Sequence, residues 1–144
     1  MQQYGFNYWE TYSPTVNWIS VLFLMIIAQV LELDTQAIDF VLAFPQAELE
    51  VPVYMELPAG TELAGHGKDS SKNLMKLKQS LYGLKQASMN WHCKLKTDFE
   101  DRGFVESLSD PCVFISKDMV ILVYVDDCIL ISKEDLFIQK LSVI

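Results

Sequence analysis

The 144-residue chain is long enough for one packed domain and too short for two independent ones. Its 51% hydrophobic and 21% charged residues exclude a disordered segment and call for a buried core. A formal net charge of −8 is not that of a domain gripping nucleic acid through overall positive charge, and three cysteines without metal-ligand spacing suit a reduced, intracellular protein.

The charge is unevenly spread. Residues 1–67 carry no Lys or Arg and a net −8, residues 68–96 a net +6, and the remainder −6. The middle segment therefore reads either as a phosphate-contacting strip or as a solvated helix face. No charged n-region opens the chain, so a signal peptide is not expected.

In chain order, Ser13-Pro14 is a helix start, with a hydroxyl cap followed by proline at the first helical position. The spacing predicts a core helix ending near Leu33. Its continuously apolar part, Ile19 to Ala28, is too short for a bilayer, which needs about 20 apolar residues. AIDFVLAF (37–44) reads as a buried central strand stopped by Pro45, and VPVYMELP (51–58) as an edge strand closed by Pro58. Residues 59–73 are rich in Gly and Ser and read as a loop.

Ser88 is placed to cap a helix through residue 102, with Trp91, Leu95 and Phe99 at i, i+4, i+8 as its apolar stripe and Gly103 past its end. His92 and Cys93 are neighbours that point different ways on that helix, a poor ligand pair. CVFIS (112–116) and MVILVYV (119–125) read as a hairpin about Lys117-Asp118, and CILIS (128–132) as the next strand, with Asp126-Asp127 at the turn. The order predicts a single α+β domain, an antiparallel sheet with helices packed on one face.

Asp126 and Asp127 are the only charges between Met119 and Ile131. Burying an unpaired carboxylate costs several kcal/mol. Either a turn returns the pair to water or a cation is bound. A sheet can bring Asp39 to the same place. Two carboxylates about 4 Å apart repel by about 4 kcal/mol at an effective dielectric of about 20, so three together favour a divalent ion. All-oxygen ligands select Mg²⁺ or Mn²⁺.

YVDD at 124–127 between apolar strands resembles the active-site hairpin of reverse transcriptases. SLYGLKQASMNW (80–91) is similar to the SLYGLKQAPRxWY signature of copia-type retrotransposon polymerases. IDFVLAFPQAELEVPVYMELPAG (38–60) resembles, without gaps, that family's MDVKTAFLNGDLEEEVYMEQPEG-like segment. YWETYSPTVN (8–17) and SDPCVFI (109–115) are similar to its ETFSPV and DPCVY blocks.

The resemblance covers essentially the whole chain. It implies a partial reverse transcriptase domain over residues 1–144, palm-like and truncated at both ends. The implied reaction is two-metal nucleotidyl transfer from a dNTP to a DNA primer 3′-OH on an RNA template. Asp39, Asp126 and Asp127 would be the catalytic carboxylates holding two Mg²⁺ or Mn²⁺ ions, with the Phe40 carbonyl as a further ligand. Phe44 would be an aromatic steric gate, and Gln86 would lie in the nucleotide- and template-facing segment. Tyr124 and Val125 would support the primer end, with Lys76, Lys78 and Lys85 as backbone contacts.

The implied setting is a retrotransposon polyprotein with thumb, ribonuclease H and integrase parts, in a cytoplasmic virus-like particle and away from membranes. Three departures stand out: Leu22 for the family's arginine, Ser88 for the proline of QAPR and His92 for an aromatic residue. The family's basic KARLVARG-like segment, which would grip the triphosphate, is not seen upstream. The alternative is therefore a catalytically inactive remnant that keeps only nucleic-acid or partner binding, and little turnover is expected from this chain alone.

Overall fold

The computed structural model describes residues 2–57 and 74–133. The helices are α1 (Trp18–Val30), α2 (Ala43–Gln46) and α3 (Ala87–Glu100). The strands are β1 (Asp34–Asp39), β2 (Tyr54–Glu56), β3 (Leu74–Lys76), β4 (Val105–Glu106), β5 (Val113–Ile115), β6 (Met119–Tyr124) and β7 (Asp127–Ser132). Five strands form one antiparallel sheet in the order β1-β7-β6-β5-β4, and β2 and β3 pair as a separate ribbon. The α+β class expected from the sequence is the one found.

The unbroken apolar runs of β6 and β7 are explained by burial on both faces. Ile121, Val123, Cys128 and Leu130 join Trp91, Leu95 and Phe99 of α3 in one core cluster. The alternate residues Leu122 and Ile131 join Ala28 of α1 in a second, with Val21 and Leu24 against it. Helices thus cover both faces of the sheet, not one as the sequence suggested. The period-two alternation of strand side chains makes this possible, since Met119–Val123 of β6 and Cys128–Ile131 of β7 are apolar throughout.

The α3 stripe is as expected: Trp91, Leu95 and Phe99 are almost wholly buried. Phe99 packs on Phe114 at 5.0 Å between ring centroids, and Trp91 meets Phe40 edge-on at 5.2 Å. His92 faces Phe114 at 6.4 Å. Gly103, at φ +85°, turns the chain just past the helix, where the Phe104 amide donates to the Phe99 carbonyl. The helix begins at Ala87, with Gln86 rather than Ser88 at the cap position.

Three further boundaries differ from the sequence reading. The cap of α1 is Asn17, whose Oδ1 accepts from the Ile19 amide at 2.9 Å; Ser13 lies outside the helix and its hydroxyl donates instead to the Ser88 carbonyl. Strand β1 is shifted towards the N-terminus, lies at the sheet edge among the described residues and is exposed rather than buried. Phe40 and Ala43 beyond it leave the sheet and supply the core instead. Pro45 then falls inside the short α2. The short strands β3 and β4 carried no alternation long enough to be seen, while Pro58 and the 59–73 loop lie outside the described residues.

The helix α1 forms, but only Ala28 in it is buried. Trp18, Ile19, Leu22, Phe23, Ile26 and Val30 are all exposed. A helix apolar all round has a second face to cover, and among the described residues nothing covers it. Among those residues no helix is long and apolar enough to cross a membrane.

Candidate active site

The register of β1 against β7 sets Asp39 directly opposite Asp127. Residues paired in this way have Cβ atoms about 4.5–5.5 Å apart on one face of the sheet, so two like charges meet there. The pairing of Tyr124 with Asp127 makes Val125 and Asp126 the two turn residues. Asp127 therefore opens β7, a correction of one position to the turn read from sequence. The Phe40 amide donates to the Asp126 carbonyl at 2.8 Å, which clamps the end of β1 to the turn.

Val125 has φ +57°. A β-branched residue in the left-handed region is strained and persists only where its surroundings hold it. Here the Trp91 indole donates to the Val125 carbonyl at 2.7 Å. Helix α3 thereby fixes the turn by its backbone.

Asp126 is half-buried, and its two oxygens differ. Oδ2 accepts from the Tyr82 hydroxyl at 2.9 Å. Oδ1 is buried without a hydrogen-bond partner among the described residues. The hydrogen bond to Asp126, then burial, then the charges of Asp126 and Asp39 push the Tyr82 phenol above its usual pKa. Both carboxylates thus act on one hydroxyl. Tyr82 was not singled out from sequence, although it lies in the SLYGLKQ block from which Gln86 was chosen. No local signal marked it, since its partner Asp126 lies 44 positions away in the chain.

No three His, Cys, Asp or Glu side chains among the described residues are gathered so as to hold a metal ion. The donor set nevertheless suits a hard divalent cation: an orphaned buried carboxylate oxygen on Asp126 beside two opposed acids.

Phe44 is half-buried on α2, its ring 4.6 Å from that of Tyr82. Gln86 is buried, with Oε1 accepting from Gln2 at 2.8 Å and Nε2 donating to the Asn7 carbonyl at 3.0 Å. Lys76, Lys78 and Lys85 are exposed, and the Lys85 amide donates to Gln2 Oε1. Lys94 and Lys96, of the same basic segment, are engaged by Asp98 and Glu106 on the solvated side of α3. A cavity of about 690 Å³ opens between the β2–β3 ribbon and the loop before α3, lined among others by Tyr54, Leu77, Tyr82 and Lys85. On the α1 side, Tyr124 and Asp127 line an apolar pocket of about 540 Å³ with Trp18, Val21 and Leu122.

Cys112 and Cys128 are free and buried, their thiols pushed up to about 12 chiefly by that burial, so both are packing residues.

Residues 1–143 match the family described as reverse transcriptase (RNA-dependent DNA polymerase). The chain is 34% identical over 146 residues to the retrovirus-related Pol polyprotein from transposon TNT 1-94 of Nicotiana tabacum, covering 98% of this chain and 11% of that protein. It is 37% identical over 138 residues to the retrovirus-related Pol polyprotein from transposon RE1 of Arabidopsis thaliana, covering 93% and 9%. Against the truncated transposon Ty1-A Gag-Pol polyprotein of Saccharomyces cerevisiae it is 32% identical over 98 residues, 67% of this chain and 8% of that one. It spans about a tenth of the length of these curated relatives. No solved structure matches. With residues 1–143 matched and the plant relatives similar over nearly all of its length, the chain belongs to the reverse transcriptase family, in its copia-type branch.

Proposed function

We propose that residues 1–144 form a single, partial palm-like domain of a polymerase that extends a DNA primer on an RNA template. The observation that carries this reading is the β1–β7 register, with Asp39 opposite Asp127 and Asp126 in the adjoining turn. Asp39, Asp126 and Asp127, with the Phe40 carbonyl, would hold two Mg²⁺ or Mn²⁺ ions. Such ions, when bound, stabilise charge developing at the α-phosphate and acidify the primer hydroxyl.

The chain's own contribution is positioning and electrostatics. The opposed carboxylates concentrate negative charge at the end of the sheet. Trp91 and the Phe40 amide fix the backbone of the turn that presents Asp126. Phe44 forms a wall against Tyr82 where a ribose 2′-OH would clash, which selects dNTPs by exclusion. Tyr124, exposed beside the turn, and Val125 would support the primer end. Lys76, Lys78 and Lys85 are exposed near the larger cavity and suit phosphate contacts that do not read sequence.

The uncovered apolar face of α1 and the small share of each Pol polyprotein that the chain spans support a setting inside a larger polyprotein, for which thumb, ribonuclease H and integrase parts and a cytoplasmic particle are proposed. The test is primer extension on an RNA template with Mg²⁺ or Mn²⁺, using this chain, the chain preceded by a relative's upstream basic segment, and its Asp126→Asn form. Extension by the lengthened chain that is lost in Asp126→Asn supports the reading. Extension that survives Asp126→Asn contradicts it.

One observation favours a second reading, a non-catalytic remnant that binds nucleic acid: both ends of the Gln86 amide are taken by Gln2 and Asn7. It predicts salt-sensitive RNA binding unchanged by Asp126→Asn and no extension by either chain.

A further inference from the structure

Tyr82 stands in the loop before α3 and touches three parts of the site. Its hydroxyl reaches Asp126 Oδ2 at 2.9 Å, its ring packs on Phe44 at 4.6 Å, and it lines the 690 Å³ cavity. The side chain is 48% exposed, so water is available to its hydroxyl and burial does not force the bond to Asp126. What the bond does is orient a carboxylate. With Oδ2 occupied, Oδ1 is the oxygen left without a partner among the described residues.

We propose that Tyr82 is a positioning residue for the carboxylate site. Its hydroxyl fixes Asp126 so that Oδ1 is held for a divalent cation shared with Asp39, and its ring makes that orientation depend on Phe44. This rests on the reading of Asp39, Asp126 and Asp127 as a cation site. A phenol suits the task better than Lys or Arg, because it donates one hydrogen bond without a positive charge that would compete with the cation. Because Tyr82 itself lines the 690 Å³ cavity, its ring links that cavity and Phe44 to the carboxylate. A ligand that displaces the Tyr82 ring therefore acts on cation affinity.

The experiment is titration of the full chain with Mn²⁺, following free Mn²⁺ by electron paramagnetic resonance, with melting temperatures recorded in parallel. Tyr82→Phe keeps the ring and removes only the hydroxyl. Its Mn²⁺ affinity is expected to fall about tenfold at an unchanged melting temperature, as for loss of an outer partner of a ligand. Phe44→Leu keeps the hydroxyl, and its affinity is expected to fall severalfold. Adding Tyr82→Phe to Asp126→Asn is expected to cost nothing further, because the hydroxyl acts only through that carboxylate.

If Tyr82→Phe binds Mn²⁺ as tightly as the parent while Asp126→Asn does not bind, the positioning role is overturned and the cation site stands. Unchanged affinity in Phe44→Leu overturns the link through the ring. If the parent binds no Mn²⁺, or Asp126→Asn binds as well as the parent, the cation site itself is refuted and this inference with it.

Discussion

Trp91 donates its indole N–H to the carbonyl of Val125 at 2.7 Å, so a residue from the buried stripe of α3 holds the turn that carries Asp126. The same ring packs edge-on against Phe40, whose amide is bonded to the Asp126 carbonyl. Core packing and the geometry of the site are therefore one construction. Trp91→Phe keeps the stripe but leaves the Val125 carbonyl without its donor. It is expected to destabilise the chain by about 1–3 kcal/mol in urea unfolding.

Val125 adopts φ +57°, which only glycine takes without strain. Relief of that strain in Val125→Gly is expected to stabilise the fold by about 1 kcal/mol, read as a higher urea midpoint with an unchanged slope. A lower midpoint would show that the turn is not strained.

Much of this was legible in the sequence. The alternation-free runs of β6 and β7 marked buried strands, and the spacing of Trp91, Leu95 and Phe99 marked the inner face of α3. That a sheet could bring Asp39 to the Asp pair was expected, and the register sets Asp39 opposite Asp127. What could not be read was set by tertiary contacts. The Asn17 cap wins over Ser13 because the Asn17 amide is held by Asp110 at 2.9 Å. The turn falls on Val125-Asp126 through strand register, which no local propensity fixes. The role of Tyr82 depends on a hydroxyl meeting a carboxylate 44 positions away.

Asp110 is buried and joins the start of α1 to that of β5, accepting from the amides of Asn17 and Cys112. Burial pushes its carboxyl up, but hydrogen bonds from Ser20, Asn17 and Cys112 outweigh this and hold it below the usual 3.8. A lowered folded-state pKa contributes stability that is present above 3.8 and lost as pH falls through the folded value. Asp110→Asn is expected to lose about 1.5–3 kcal/mol at neutral pH and to flatten acid unfolding below pH 4. Equal acid sensitivity in parent and variant would refute this assignment.

His92 is half-buried beside Phe114. Burial pulls its imidazole below 6.5, more than the charge of Glu106 raises it, and Lys96 lowers it further. The unfolded chain then binds a proton that the folded chain refuses, so stability falls as pH drops from 6.5 towards the folded value. His92→Phe, which keeps a ring but has no titrating group, is expected to remove that part of the slope. Urea midpoints between pH 7 and pH 5 measure it.

The central claim is that Asp39 and Asp127, opposed across β1 and β7, share a cation with Asp126, and thermal melting of the parent chain and Asp39→Asn tests it most directly. Without divalent ions the variant should be the more stable by about 0.2–1 kcal/mol, since like charges in direct register repel. With Mn²⁺ at about 100 times its dissociation constant the parent should gain about 2.7 kcal/mol and the variant little. Equal gains in both proteins, or a variant less stable than the parent without metal, would contradict the account.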